Sequence, residues 1–443
     1  MSPKNKALPK NAVLYASSEA DANVLYATKF FAPDPIIYLE RGDKRMLVLN
    51  DLELGRGKKE ASVDDVISLS EVSKKIGKSH PADIVKSLLK GRKQVRVPGN
   101  FPVDMADNLR KRGIDVVVKP MPFYDRRMVK TRSEIRAIEE AQRATEESVE
   151  AAFEVLRRAK VRGGKLYYNG LVTAESLRRL IHQELLERDC IGKDTIIACG
   201  EQACDPHNRG SGPIKPNQPI VFDCFPRSSK TGYHADMSRT VLKGKASRKV
   251  RHLWDTVRDG QQLGCDLVHA GVNGADVHQS IMDFFEEQGY KTERKKKGWV
   301  GFFHGTGHGI GLDLHEPPWI GNLVERLADA GTNSVVYFST MWVYGASAEG
   351  LLTESTPTAP DGPYPTAHLR NESVLADCAQ DLELDVSILR MANLVGPDPF
   401  YRSRSKISFA HELVEMAVRD KVILLRSPPS TPRNILTRTL LHH

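Results

Sequence analysis

One stretch constrains this chain more than any other. It reads Phe302-Phe303-His304-Gly305-Thr306-Gly307-His308-Gly309-Ile310-Gly311-Leu312-Asp313-Leu314-His315-Glu316-Pro317-Pro318, with three histidines in twelve positions and glycine at every second position from 305 to 311. The closing Pro-Pro excludes a continuing helix. Glycine weakens a strand interior unless something must come close to the backbone, so core packing alone gives little reason for histidines interleaved with glycine. A phosphate-cradling Gly-x-Gly-x-x-Gly loop starting at Gly305 would need glycine where the chain has Ile310, and a helical His-Glu-x-x-His zinc motif starting at His315 would need histidine at Trp319. What remains is a strand-borne metal or acid/base site.

At 443 residues the chain is long enough for two or three domains. Its net charge of +8 is spread out, and the basic run Arg294-Lys295-Lys296-Lys297 lacks the interleaved aromatics of a nucleic-acid surface, so it reads as a solvated loop. No apolar run reaches the roughly 18 residues a membrane span needs, and the N-terminus has no apolar signal core. Six cysteines (190, 199, 204, 224, 265 and 378) form no Cys-x-x-Cys pair. This suits buried thiols in a reducing, cytoplasmic setting rather than a disulfide framework.

In chain order, residues 11 to about 125 mix short β-rich runs with helical ones. Ile36–Leu39 and Met46–Leu49 flank a turn at Arg41-Gly42-Asp43, and runs at 94–97 and 115–118 bracket an amphipathic helix near 103–112. Thr131-Arg132-Ser133-Glu134 is a capping-box pattern ahead of a helix whose apolar stripe is Ile135, Ile138, Ala141, Thr145, Val149 and Phe153. A helix at about 173–188 follows, then strands at 195–199, 219–223 and 233–242, then two helices before the histidine stretch. Asp223 ends an apolar strand, where a carboxylate is costly unless paired or coordinated. The spacing predicts Asp236 on the returning strand of the same hairpin, so the two carboxylates converge; pairing of Asp236 with Arg239 is the plainer alternative.

Asp223, the segment Tyr233-His234-Ala235-Asp236-Met237-Ser238-Arg239-Thr240, and the His304–Leu312 motif followed by His315-Glu316 together resemble the pita-bread metallopeptidases. Within that family the likeness is to Xaa-Pro aminopeptidases and Xaa-Pro dipeptidases, whose creatinase-like N-terminal domain the first 125 residues resemble, and it covers about residues 11–322. The resemblance implies Asp223 and His308 as metal ligands, Asp236 as a bridging ligand, and His207 and His315 as the catalytic histidines beside the substrate, with His304 behind the ligands. It also implies a two-metal hydrolase, in which paired ions activate water while histidines orient the peptide. Oxygen-rich ligation with one imidazole favours manganese.

The likeness stops short of two glutamates that the family carries on later strands, and no Glu-Pro-Gly follows His315. From about 325 to 443 the chain resembles instead the extended short-chain dehydrogenases, the NAD-dependent epimerases and dehydratases. The carriers are Phe338-Ser339-Thr340-Met341-Trp342-Val343-Tyr344-Gly345, Thr353-Glu354, Pro363-Tyr364 and Ile388–Pro397. That resemblance makes Thr340 and Tyr364 the counterparts of catalytic residues. His368 stands where a lysine is expected, and no glycine-rich nucleotide loop lies upstream. The expected organisation is therefore an α/β creatinase-like domain at 1–125, an incomplete α+β pita-bread domain at 126–324, and a partial Rossmann-type α/β segment at 325–443, joined near 323–334.

The expected function is a metal-dependent Xaa-Pro peptidase impaired by its missing glutamates. The alternatives are an epimerase/dehydratase fragment and a non-catalytic peptide-binding protein. The expected cofactor is one weakly held divalent ion (manganese, cobalt or zinc) without NAD. The expected partner is a proline-containing peptide, with neither nucleic acid nor membrane, and a homodimer is compatible with the likeness. Val335–Phe338 and Val386–Leu389, cut off from their family partners, read as unpaired, aggregation-prone strand edges.

Overall fold

The structure is a computed structural model that describes residues 8–296, 298–321, 334–345, 356–360, 366, 368–369, 372–373 and 385–391. The chain divides into two compact units, Met1–Asn322 and Leu323–His443.

The first unit begins with a six-stranded sheet. Its strands are β1 (Ala12–Ala16), β2 (Ile36–Arg41), β3 (Lys44–Leu49), β4 (Asp65–Ser68), β5 (Gln94–Pro98) and β6 (Asp115–Lys119), ordered β4-β3-β2-β1-β5-β6. The hairpin read at 36–49 is present, turning at Gly42 with φ +64°. Helices α1 (Ala22–Thr28), α2 (Asp51–Glu60), α3 (Leu69–Ile76), α4 (Pro81–Leu88) and α5 (Val103–Lys111) connect the strands. Because successive side chains point to opposite faces, Val13, Ile37, Leu39 and Val48 join one core while Leu14, Ile36, Tyr38 and Leu47 join the other. Both faces are covered, as parallel pairing requires.

Helix α6 (Arg132–Arg158) starts at the expected capping box: Glu134 reaches back to the Thr131 backbone amide at 2.7 Å. Most of the expected stripe is present: Ala141, Thr145 and Val149 are buried and Ile138 and Phe153 pack against core clusters, while Ile135 is 44% exposed. Ala137, Ala144, Ser148 and Ala152 complete the buried face, and these small residues let α6 lie close on the sheet beneath it. There follow β7 (Lys160–Arg162), β8 (Lys165–Tyr167), α7 (Ala174–Glu187), β9 (Cys190–Ile191), β10 (Ile196–Cys199), β11 (Ile220–Cys224), β12 (Arg227–Ser228) and β13 (Met237–Val241). Strands β10, β11 and β13 form an antiparallel sheet whose Ile197, Ile220, Phe222 and Met237 pack under α6 and α7. Helices α8 (Arg248–Leu267) and α9 (Gly274–Glu287) lead to the hairpin β14 (Glu293–Lys295) and β15 (Gly298–Val300), then to β16 (Gly307–Gly309) paired with β17 (Glu316–Ile320). The basic run is thus partly strand rather than loop, though its Arg294 and Lys295 remain exposed. Cys190 and Cys224 are buried thiols as expected, whereas Cys204 and Cys265 are exposed. Among the described residues no helix is long and apolar enough to cross a membrane.

In the second unit β18 (Ser334–Thr340) and β19 (Asp385–Met391) pair in parallel along their whole length. This corrects the expectation that both segments are unpaired: each takes up the facing backbone groups of the other. Arg390 forks onto Glu372 and reaches the Tyr344 hydroxyl at 2.8 Å. Thr340 ends β18, but its side chain and all of Tyr364 lie outside the described residues.

Candidate metal centre

Along β11 the side chains alternate, with Ile220, Phe222 and Cys224 buried in the core and Asp223 on the opposite face. Its strand partner Ser238 donates a 2.6 Å hydrogen bond to Asp223 Oδ1. Burial pushes the Asp223 carboxyl upward; the Ser238 hydroxyl and the nearby His315 and His207 pull against that, while the Asp236 charge adds to it. Two carboxylates that disfavour each other's charge form a place where a cation is stabilising.

Asp236 is not on the returning strand, which begins one residue later at Met237. The preceding backbone is captured elsewhere: His234 N–H donates to Gly311 O at 2.8 Å and Ala235 N–H to Pro226 O at 3.0 Å. These bonds draw the segment toward the histidine stretch and leave Asp236 turned to His308. Arg239 does not pair with Asp236; it donates to the Ser238 carbonyl.

His308 lies on β16 at a bulge between His308 and Gly309. Its Nδ1 is 3.0 Å from Gly309 O, and since a carbonyl only accepts, Nδ1 carries the proton. The Nε2 atom is then the one that faces Asp236 Oδ2, at 3.3 Å. The Asp236 carboxylate raises the His308 pKa, so a proton competes with any cation for this place. The His315 ring stands against His308 with centroids 4.3 Å apart and planes at 74°. Ligand atoms of Asp236, His308 and His315 all lie within 4.8 Å of one another. One carboxylate and two imidazoles, with a second carboxylate nearby, suit a single divalent ion. Asp236 also borders a cleft of about 520 Å³ lined by Ile138, Glu139, Gln142, Arg143 and Glu146 of α6 together with Ile310.

The structure therefore brings Asp236, His308 and His315 together, with Asp223 alongside. His315, assigned by resemblance to the peptide, stands where a ligand would stand. His207 is exposed after a 3-10 turn, its backbone amide donating to Asp205 Oδ1 at 3.2 Å. His304 is exposed too; its Nδ1 bonds Gly305 O at 2.8 Å and its ring stands edge-on to Phe302 rather than behind the three.

Residues 136–341 match Metallopeptidase family M24, and residues 321–427 match the NAD dependent epimerase/dehydratase family. Residues 136–341 belong to the pita-bread metallopeptidases. The Xaa-Pro dipeptidase of Pyrococcus furiosus is 25% identical over 298 residues, 66% of this chain and 75% of that protein. The Xaa-Pro dipeptidase of Lactobacillus delbrueckii subsp. lactis is 28% identical over 199 residues, 44% of this chain and 48% of that protein. Among solved structures, the prolidase from Pyrococcus furiosus superposes with a TM-score of 0.57 at 21% identity, covering 71% of this chain and 83% of that one. The X-Pro aminopeptidase from Thermotoga maritima gives 0.57 at 21%, covering 70% and 82%. At these identities the structures establish a shared pita-bread fold. The two family matches overlap at residues 321–341, the stretch in which the metallopeptidase likeness gives way.

Three residues near the centre escaped the sequence reading. His278 on α9 is 3% exposed, bonds Thr306 Oγ1 at 2.8 Å, and is pushed down to about 4 by burial and by His304. Arg127 and Lys130 grip Glu316. A histidine on α9, an arginine in a 3-10 turn and a lysine in the loop after it carry no sequence sign of burial; only the carboxylate in His-Glu-Pro-Pro, which needs a partner once buried, points to such a pair.

Proposed function

We propose that this chain is a metal-dependent peptidase directed at peptides with proline, working at Asp236, His308 and His315 with one weakly held divalent ion. The convergence of these three side chains within 4.8 Å carries the reading. The names of the relatives, Xaa-Pro dipeptidases, support proline at the cleaved bond.

Asp236 and His308 Nε2 are the principal donors, and the Gly309 carbonyl keeps the His308 lone pair aimed at the site by holding the Nδ1 proton. His315 closes the third side, and Asp223 adds negative charge to the bed. An ion bound there would supply Lewis-acid activation of the peptide carbonyl and of water. His207, exposed and near enough to Asp223 to lower its pKa, would meet substrate entering from solvent. The carboxylates of Asp223 and Asp236 suit manganese, while the second imidazole, from His315, equally suits zinc, and the dispersed free thiols fit a cytoplasmic setting.

The test is amine release from an Xaa-Pro dipeptide and its Xaa-Ala counterpart, with manganese present and after chelation. Slow hydrolysis confined to the proline substrate, dependent on manganese and lost in Asp236→Ala, is expected. Failure to cleave either substrate with manganese bound would overturn the reading in favour of a peptide-binding protein without catalysis.

A further inference from the structure

Glu316 follows His315 directly and is 3% exposed. Its two oxygens go to different cations: Oε1 accepts from Lys130 Nζ at 2.6 Å, and Oε2 accepts from Arg127. Arg127, itself 6% exposed, extends its fork to Asp313 Oδ2 at 2.6 Å and to Asn23 Oδ1 of α1 at 2.9 Å. One guanidinium thus holds a residue on each side of His315, Asp313 before it and Glu316 after it.

Burying charge in this way is a poor route to stability. Desolvation costs several kcal/mol per ion, and an apolar contact of similar volume often does as well. What a planar, forked donor supplies is direction. The backbone around it is shaped to fit: a Cβ on Gly311 would overlap the Glu316 carboxylate, and one on Gly309 would lie 2.6 Å from Glu316 O. Two of the alternating glycines are therefore accounted for by the close passage of Glu316. The Glu316 carboxylate, engaged on both oxygens, is also not a stand-in for a missing metal ligand.

We propose that Arg127 and Lys130 are positioning residues of the metal centre: by gripping Asp313 and Glu316 they set the His315 imidazole against His308. The proposal rests on reading Asp236, His308 and His315 as that centre. It makes the linker between the N-terminal sheet and α6 a determinant of metal affinity, although neither cation faces the ion.

The experiment uses the full chain with Glu316→Gln, Arg127→Lys and Lys130→Met, and three readouts: NMR contacts between the His308 and His315 rings in metal-free protein, manganese affinity by calorimetry, and the metal-free melting temperature. In Glu316→Gln and Lys130→Met the ring contacts should be lost and manganese should bind at least tenfold more weakly. Arg127→Lys, which keeps the charge but loses the fork, should fall between these variants and wild type. Ring contacts retained and affinity within twofold of wild type, with only the melting temperature lowered, would overturn the proposal and leave a merely structural network. If Glu316→Gln fails to fold, Arg127→Lys and Lys130→Met decide by the same criteria. If wild type binds no manganese, the proposed function fails while the ring contacts still decide whether the grip sets His315.

Discussion

The two halves of the first unit organise their strands differently. Residues 12–119 put six strands into one hydrogen-bonded sheet with a core on each face. Residues 160–320, among those described, spread their strands over one three-stranded sheet and four two-stranded pairs. The first arrangement makes position a property of a cooperative ladder. In the second, Asp236 adjoins β13 and His308 lies on β16, in separate sheets, and they meet through a handful of polar contacts such as His234 N–H to Gly311 O. The candidate centre thus depends on individual polar contacts where the N-terminal half depends on bulk burial. Substitutions should separate the two.

The largest effect is expected at the centre: Asp236→Ala and His308→Ala should each abolish manganese binding detectable by calorimetry while leaving the metal-free melting temperature close to wild type. A melting loss equal to that of a core deletion would break the contrast. In the N-terminal half, Leu39→Ala, at a fully buried position, should cost about 2–5 kcal/mol in denaturant unfolding without altering manganese affinity. An affinity change there would mean the sheet and the centre are coupled more tightly than the polar contacts imply.

A pH effect comes next. Buried His278 titrates near 4 in the folded chain against an ordinary value near 6.5, so between these the unfolded chain binds the extra proton. Stability from this group is fully present above about pH 6.5 and is lost as pH falls toward about 4, on the order of 3 kcal/mol. His278→Gln should flatten the melting temperature across that window; an unchanged slope would remove His278 as its source. The smallest effect is expected at Lys44–Asp65, an ion pair with both side chains nearly half exposed, where Lys44→Ala should cost less than about 1 kcal/mol.

Much of this architecture was legible because it is local. The capping box at Thr131 and Glu134, the hairpin at Gly42 and the alternation of β11 follow from spacing of a few residues. The candidate site residues stood out for a different reason, since interleaved histidine and glycine have few structural uses. What stayed hidden is long-range. Arg127 finds Glu316 across 189 residues, and no pattern in either segment names the other. Asp236 slipped off its strand because Gly311, far along the chain, captures the backbone before it. The pairing of 334–340 with 385–391 was missed because each segment was judged against partners it lacks rather than against the other. On α6 the period made Ala141, Thr145 and Val149 legible, whereas the burial of Ala137, Ala144 and Ala152 was not, because alanine carries little apolar signal of its own.

The central claim is that this pita-bread scaffold retains one ion's worth of ligands. Calorimetric titration of the metal-free chain with manganese tests it most directly. A single weak site per chain, lost in His308→Ala, is predicted; two tight sites would contradict the account and mean that carboxylates outside Asp236 and Asp223 complete a paired centre.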